Sequence, residues 1–128
     1  VHVRVCPYQC AEYNYGGIPE WVPLMKNRDG SPMEMRRWDG AWMDAMEEWV
    51  GDLTTYLADA ELFADQGGPI VMGQIENELG GAGGAFMVEE ANKDDASSES
   101  GGEGGRTVQD YADWCGSLAN RLRPSTLW

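Results

Sequence analysis

The sequence predicts an α/β fold built on a parallel sheet. Two apolar segments with strand character, residues 1–5 and 70–76, are separated by a long helical pattern, and a second helical pattern begins at residue 107. A third strand is expected to begin near Leu127. Strands that alternate with helices in this way are typical of βαβ units. The prediction is therefore about two complete βα units, with the chain starting inside a strand.

The first strand is predicted from residues 1–5, VHVRV, in which apolar and polar side chains alternate. The chain opens directly in this pattern, without an initiating Met, so we expect it to be part of a larger protein. The second strand is predicted from Ile70 to about Glu76. The turn sequence GGP at residues 67–69 precedes it, after the helical pattern has ended near Phe63.

The long helix is predicted from large apolar side chains that recur every three or four residues, with Asp39 as the N-cap. Aromatic side chains in such a stripe could stack on sugars. At this spacing, however, they usually form core, and we interpret them as packing. The stripe consists of Trp38, Trp42, Met46, Trp49, Leu53 and Tyr56.

The second helix is predicted to begin with a capping box formed by Thr107 and Asp110. Its apolar face places Cys115 among core residues, so this thiol is interpreted as packing and not as a nucleophile. The face consists of Val108, Tyr111, Ala112, Cys115, Leu118, Ala119 and Leu122.

The charge balance argues against a polyanionic partner. Nine basic and 22 acidic residues give a formal net charge of −13, which repels nucleic-acid phosphates and anionic lipid surfaces. No apolar run approaches the roughly 20 residues that span a bilayer. We therefore expect no nucleic-acid partner and no transmembrane segment in this chain.

The three cysteines fit neither an even disulfide framework nor a paired CxxC metal site. On one straight strand, Cys6 and Cys10 would lie about 13 Å apart, too far for a disulfide. They are predicted to be separate thiols unless Pro7 turns the chain. No metal or organic cofactor is predicted.

Residues 89–106 are acidic, rich in Ser and Gly, and without periodicity. Such a segment cannot bury enough apolar surface to order itself, so we predict a disordered insertion here. The nearby glycines of LGGAGGAF, residues 79–86, do not complete the GxGxxG pattern of a phosphate-binding loop.

Both predicted strands end in polar residues. The first strand runs into CPYQCAEYNYGG, residues 6–17, and the second into Glu76, Asn77 and Glu78. A solvated strand end or a helix cap would account for the second segment alone. In parallel α/β folds, however, chemistry is found at the carboxyl ends of the strands, which favours a functional site.

These two segments resemble the glycoside hydrolase family 35 β-galactosidases. CPYQCAEYNYGGIPEWV, residues 6–22, is similar to the family's GPY, CAEW and GG(F/L)PxWL motifs. LFADQGGPIVMGQIENELG, residues 62–80, is similar to its QGGPI and QIENEYG motifs. The resemblance covers about residues 1–88 and 107–128. It implies a retaining exo-β-galactosidase, in which residues 1–128 form a partial (β/α)8 TIM barrel interrupted by the acidic insertion.

The resemblance also implies roles for individual residues. Glu78 matches the general acid/base and Asn77 the residue that contacts the sugar beside the scissile bond. Ala11 and Glu12 match the pair that binds galactose hydroxyls. No position matches the family's nucleophile, so these residues alone are expected to be inactive.

Glu78 has the chemistry that this role requires. A retaining glycosidase needs one carboxyl group that protonates the leaving group and then, once ionised, activates water. Strict strand alternation would put Asn77 and Glu78 on opposite faces, so a shared site requires a bend or bulge. Glu76 is then left for a structural role, with Arg4 as a candidate ion partner.

Three positions depart from the family pattern: Cys6 replaces Gly, Tyr13 replaces Trp and Leu79 replaces Tyr. The main alternative function is an inactive, galactose-binding, lectin-like relative that lacks the nucleophile. By resemblance, the expected setting is secreted, cell-wall, vacuolar or lysosomal. Linkage preference and oligomeric state stay open.

Overall fold

The computed structural model describes residues 1–10, 13–79 and 105–128. The chain divides into two compact units. The first unit consists of Val1–Ile18, Met46–Asn77 and Cys115–Trp128. The second unit consists of Pro19–Ala45 and Glu78–Trp114. None of the helices within the described ranges is long and apolar enough to cross a bilayer.

The sheet of the first unit confirms the predicted parallel α/β arrangement. Strand β1, His2–Arg4, pairs in parallel with strand β2, Met72–Gln74, in the register His2↔Met72 and Arg4↔Gln74. On the other side of β2, Leu127 forms a parallel bridge with Met72, as expected for a third strand. Three segments that follow one another along the chain therefore lie side by side.

Strand β2 is shorter than the predicted span of residues 70–76. Ile70 pairs instead with the segment just before the turn: its N–H donates to the Leu62 carbonyl at 2.9 Å, and its carbonyl accepts from the Ala64 N–H at 2.8 Å. The regular strand then ends at Gln74. The apolar pattern predicted the strand, but local pairing at one end and a bend at the other set its limits.

Helix α1, Gly40–Asp59, begins at the predicted N-cap. The Asp39 Oδ1 accepts from the Trp42 backbone N–H at 3.1 Å, while Oδ2 accepts from Asn27 Nδ2 at 2.8 Å and from the Glu34 N–H at 3.0 Å. The buried carboxylate therefore satisfies a helix-end donor and fixes the preceding turn.

Helix α1 ends before Phe63 because the chain forms a Schellman motif. Glu61 adopts a left-handed conformation with φ 53°, and the Leu62 N–H donates to the Leu57 carbonyl at 3.1 Å. The Glu61 N–H completes the motif by donating to the Ala58 carbonyl at 2.9 Å. The apolar periodicity continued to Phe63 because that residue is core, although it is not helical.

The core stripe of α1 differs from the prediction. Trp42 and Met46 are buried as expected, but Trp49 is 52% exposed and Tyr56 is 70% exposed. The buried row continues instead through Val50 and Thr54, at a strict four-residue spacing. The Thr54 hydroxyl is accommodated in the core because it donates to the Val50 carbonyl at 2.7 Å.

Each unit has its own apolar core. Burying one such side chain contributes roughly 1.5–3 kcal/mol. The core of the first unit includes Val5, Cys6, Ile18, Met46, Val50, Phe63, Ile70, Cys115, Leu118 and Ala119. The core of the second unit includes Val22, Met33, Trp42, Val108 and Tyr111, with the Trp42 indole N–H donating to the Tyr111 hydroxyl at 2.8 Å.

Helix α2, Val108–Leu122, confirms the predicted capping box. The Thr107 N–H donates to the Asp110 carboxylate at 2.8 Å, and the Asp110 N–H donates to the Thr107 hydroxyl at 3.2 Å. Two backbone donors at the helix start are thereby satisfied reciprocally. Cys115 lies in the core at 1% exposure, as predicted for a packing thiol.

The capping box makes a testable contribution to pH-dependent stability. Hydrogen bonds from the Thr107 backbone and hydroxyl, followed by the charge of Arg106, hold the pKa of Asp110 below its ordinary value of 3.8. A lowered pKa stabilises the folded state above that value, and the stabilisation is lost as the pH falls through the folded pKa. Asp110→Ala should therefore lower the Tm of the full-length protein at pH 6 and have a smaller effect at pH 3.

The matched control is Asp113→Ala, which removes a carboxylate from the same helix. Asp113 lies within the helix and accepts from the Gln109 side chain, with Nε2 to Oδ1 at 2.8 Å. Thermal unfolding at several pH values should separate the two variants. Equal Tm losses at pH 6 would contradict a specific capping role for Asp110.

Candidate active site

The segment after β1 folds back on itself as a closed loop. The Gln9 N–H donates to the Gly16 carbonyl at 2.7 Å, and the Gly16 N–H donates to the Tyr13 carbonyl at 2.9 Å. The predicted galactose-binding residues Ala11 and Glu12 belong to this segment but lie outside the described residues. Their predicted role is therefore untested.

Several side chains fix the base of this loop. Arg4 at the end of β1 donates from Nη1 to the Gln9 carbonyl at 3.1 Å, and the Cys6 thiol donates to the Tyr8 carbonyl at 3.1 Å. Gln9 Nε2 also donates to the Cys6 carbonyl. These bonds hold the loop at the strand end. No disulfide joins Cys6 and Cys10, as predicted.

The second polar segment follows β2 and forms a compact hydrogen-bonded network. Gln74, the last residue of the strand, donates from Nε2 to the Glu76 carbonyl at 2.8 Å and to Asn77 Oδ1 at 3.1 Å. The Glu76 carboxylate in turn accepts from the Asn77 backbone N–H at 2.7 Å. Asn77 is 5% exposed, so its polar groups are held in a well-defined environment.

The suggested ion pair between Arg4 and Glu76 is not formed. The Arg4 guanidinium binds the Gln9 carbonyl, and the Glu76 carboxylate binds the Asn77 N–H. Each of these two bonds joins its side chain to the backbone of the segment that follows its own strand. A structural role for Glu76 stays a prediction.

Glu78 lies at a sharp change of backbone direction. It adopts a left-handed conformation with φ 50°, and the chain bends at Asn77 and Glu78. A non-glycine residue in this region is unfavourable by roughly 1–2 kcal/mol. The expected departure from strand alternation is therefore present at this point. Glu78 is exposed.

The two polar segments begin at the same edge of the sheet. Because β1 and β2 are parallel, their carboxyl ends coincide, and the Val5 N–H just after β1 donates to the Gln74 carbonyl at 2.9 Å. This confirms the strand arrangement on which the site prediction depends. That the side chains of Glu12, Asn77 and Glu78 converge on one cleft stays a prediction.

Left-handed non-glycine residues are concentrated in these segments. Cys10 has φ 65° and Tyr15 has φ 51° in the loop after β1, and Glu78 has φ 50° after β2. Such conformations persist only where the surrounding structure enforces them, and they cluster at functional sites. Arg36 and Glu61 are the other examples among the described residues, and Glu61 is explained by the end of α1.

Sequence reasoning did not identify Gln74 as part of this site. Its one visible signal is a long amide side chain three residues before a buried Asn, which is too common a pattern to predict a contact. Among the described residues, no group of three or more His, Cys, Asp or Glu side chains is placed to hold a metal ion.

Comparison with known proteins gives one consistent result. Residues 1–114 match the model of the Glycosyl hydrolases family 35. Beta-galactosidase 8 of Arabidopsis thaliana is 34% identical over the whole chain, and Beta-galactosidase 6 of Oryza sativa subsp. japonica is 37% identical over 67% of it. Probable beta-galactosidase 2 of Dictyostelium discoideum is 39% identical over 62% of the chain.

The chain spans only 12%, 9% and 10% of the lengths of these three relatives. The family match nevertheless includes both polar strand ends and the two strands that precede them. The chain belongs to the Glycosyl hydrolases family 35.

Proposed function

We propose that this chain supplies the acid/base half of the active site of a retaining exo-β-galactosidase, with Glu78 as the proton donor and acceptor. One observation carries the proposal. Glu78 occupies the acid/base position of the family motif and follows the carboxyl end of a strand that pairs in parallel with β1. The names of the three relatives support β-galactosides as the substrate class.

Each step of the reaction assigns Glu78 a definite proton transfer. In the first step its carboxyl proton moves to the glycosidic oxygen as the leaving group departs and a nucleophilic carboxylate bonds to the anomeric carbon. In the second step the Glu78 carboxylate takes a proton from water, which displaces the enzyme carboxylate. The galactose is released with its original anomeric configuration.

The proposal includes binding roles for three further residues. Asn77 donates to the sugar hydroxyl beside the scissile bond, where hydrogen bonds strengthen in the transition state. Ala11 and Glu12 bind galactose hydroxyls from the loop after β1. The nucleophile comes from a part of the protein outside these residues.

The same proposal covers the domain organisation. Residues 1–128 form part of a (β/α)8 barrel. The insertion predicted at residues 89–106 lies outside the described residues, except for Gly105 and Arg106. The parallel neighbours β1, β2 and Leu127 support the barrel, since barrel strands follow one another in chain order. Both polar segments would then belong to the carboxyl-terminal face, where barrel enzymes have their active sites.

The test is to express the full-length protein and measure hydrolysis of nitrophenyl β-galactoside beside the α-galactoside, the β-glucoside and the β-mannoside. Selective turnover of the β-galactoside is expected. Proton NMR of the first product should show the β-anomer before mutarotation. End-labelled galacto-oligosaccharides should lose one terminal galactose at a time.

Two results would contradict the proposal. Release of the α-anomer would indicate an inverting mechanism, in which a second carboxylate activates water directly. Galactose binding by calorimetry without any turnover would indicate the lectin-like alternative.

A further inference from the structure

The hydrogen-bond network at the end of β2 determines the orientation of the Asn77 side chain. A backbone carbonyl can only accept hydrogen bonds. The Gln74 side-chain atom that lies 2.8 Å from the Glu76 carbonyl must therefore be the amide nitrogen. This assignment depends on a neighbour of known polarity and not on the appearance of the amide itself.

The same nitrogen then fixes the orientation of Asn77. Gln74 Nε2 carries two hydrogens, and its second close neighbour is the amide of Asn77, at 3.1 Å. A donor must face an acceptor, so Asn77 presents Oδ1 to Gln74. Because the Asn amide is planar, its NH2 group lies on the side opposite to Gln74.

We propose that Gln74 is a positioning residue that makes Asn77 a hydrogen-bond donor to the 2-hydroxyl of the galactosyl unit. This inference rests on the proposed function, which assigns Asn77 to the sugar. The Glu76 carbonyl determines that the nearby atom of Gln74 is the amide nitrogen, and this nitrogen determines that Asn77 turns Oδ1 towards it. Gln74 itself does not contact the substrate.

The strand explains why Gln74 can perform this role. It is the last regular residue of β2, and its carbonyl is held by the Val5 N–H at 2.9 Å. The bond from the Glu76 carboxylate to the Asn77 N–H, at 2.7 Å, fixes the Asn77 backbone at the same time. With the backbone fixed, the hydrogen bond from Gln74 restricts rotation of the Asn77 amide.

The test uses Gln74→Met in the full-length enzyme, because Met keeps the length of the side chain and removes the donor. The matched control is Gln66→Met. Gln66 Nε2 also donates to a backbone carbonyl, that of Ala58 at 2.9 Å, but it lies before β2 and far along the chain from Asn77. Gln66→Met should leave kcat/KM within twofold of wild type, a margin of about 0.4 kcal/mol.

Two substrates distinguish positioning from general support of the fold. With nitrophenyl β-galactoside, Gln74→Met should lower kcat/KM by about tenfold, as expected for one neutral hydrogen bond. With the 2-deoxygalactoside, which lacks the hydroxyl, the loss should be less than about twofold. In an Asn77→Ala background, Gln74→Met should cause no further loss with the galactoside, because the group it orients is absent.

A second variant keeps the test decisive if Gln74→Met does not fold. Gln74→Glu has the same shape but sets a carboxylate against two oxygen acceptors, so it should lose more kcat/KM than the Met variant while showing the same dependence on the 2-hydroxyl. Equal losses of either variant on the two substrates would overturn the inference.

Thermal unfolding of the same proteins tests the contact between Gln74 and Asn77 without a substrate. The Tm loss caused by Gln74→Met should be smaller in the Asn77→Ala background than in wild type. If the wild-type protein turns over no galactoside but this coupling is present, the proposed function fails and the Gln74–Asn77 contact stands. If there is neither turnover nor coupling, both fail.

Discussion

Replacing Glu78 with Gln in the full-length protein should reduce hydrolysis of lactose-like galactosides by about 100-fold to 10,000-fold, the range typical of general acid–base catalysis. The amide keeps the shape of the side chain but can neither deliver a proton to the leaving oxygen nor accept one from water. Galactose binding, measured by calorimetry, should change little. Near wild-type rates on lactose would show that Glu78 is not the proton donor.

The leaving group should decide which step limits the variant. A nitrophenolate departs without protonation, so the first step should be little affected, while the second step still lacks its base. Glu78→Gln should therefore show a burst of nitrophenol followed by slow turnover. Azide should restore the second step and give the β-galactosyl azide, because azide attacks without a general base. The absence of both burst and rescue would count against the assigned role.

Glu76→Gln is the matched control, since it makes the same chemical change two residues earlier. The Glu76 carboxylate accepts from the Asn77 N–H, and the carbonyl oxygen of Gln can replace that bond. We expect a loss of less than about tenfold, consistent with one weakened hydrogen bond. If Glu76→Gln instead abolished activity and Glu78→Gln did not, the acid/base role would belong to Glu76.

Local signals in the sequence predicted the helix starts and the strand order well. The N-cap at Asp39 and the capping box of Thr107 and Asp110 are short-range interactions whose partners lie within a few residues, so residue type alone nearly determines them. The helix between the two strands favours their parallel pairing, because parallel strands need a long crossover connection that is usually a helix. These features needed no knowledge of distant contacts.

Helix ends and burial were harder to predict, because they depend on backbone conformation and on the residues packed nearby. The residue type of Glu61 does not predict its left-handed conformation, which ends α1 at Asp59. The spacing of Trp49 in α1 predicted a core residue, but about half of it is exposed. Its indole N–H donates to the Val5 carbonyl at 3.0 Å. An amphipathic aromatic residue can satisfy the apolar pattern without full burial.

The candidate site likewise combines features that the sequence predicted with features that only the structure shows. Motif resemblance predicted roles for Asn77 and Glu78, and the structure adds a bend at these two residues. The structure also adds Gln74, which donates hydrogen bonds to the Glu76 carbonyl and to Asn77 Oδ1. Such a contact produces no periodic pattern in the sequence. Resemblance predicted which residues take part in the reaction, while the contact between Gln74 and Asn77 could be found only from the coordinates.

Gly68→Ala should destabilise the full-length protein by about 3 kcal/mol, at the upper end of overpacking effects. A Cβ at Gly68 would lie 2.2 Å from the Leu62 carbonyl carbon and 2.4 Å from the Glu61 carbonyl oxygen. These are backbone atoms held by the end of α1, so they cannot move aside as a flexible side chain would. Relief requires the chain before β2 to shift, which would disturb the bond from the Ile70 N–H to the Leu62 carbonyl.

Gly67→Ala is the control that separates this clash from backbone strain. Gly67 has φ 89°, but a Cβ there would meet nothing within 4 Å, so its cost should be only the roughly 1 kcal/mol of an unfavourable conformation. Apparent Tm values should therefore fall clearly further for Gly68→Ala than for Gly67→Ala. Because β2 leads directly to Asn77 and Glu78, kcat/KM should also fall more for Gly68→Ala at a temperature where both variants are folded. Equal Tm losses would mean that the segment before β2 shifts at little cost, and that the start of this strand does not determine the positions of Asn77 and Glu78.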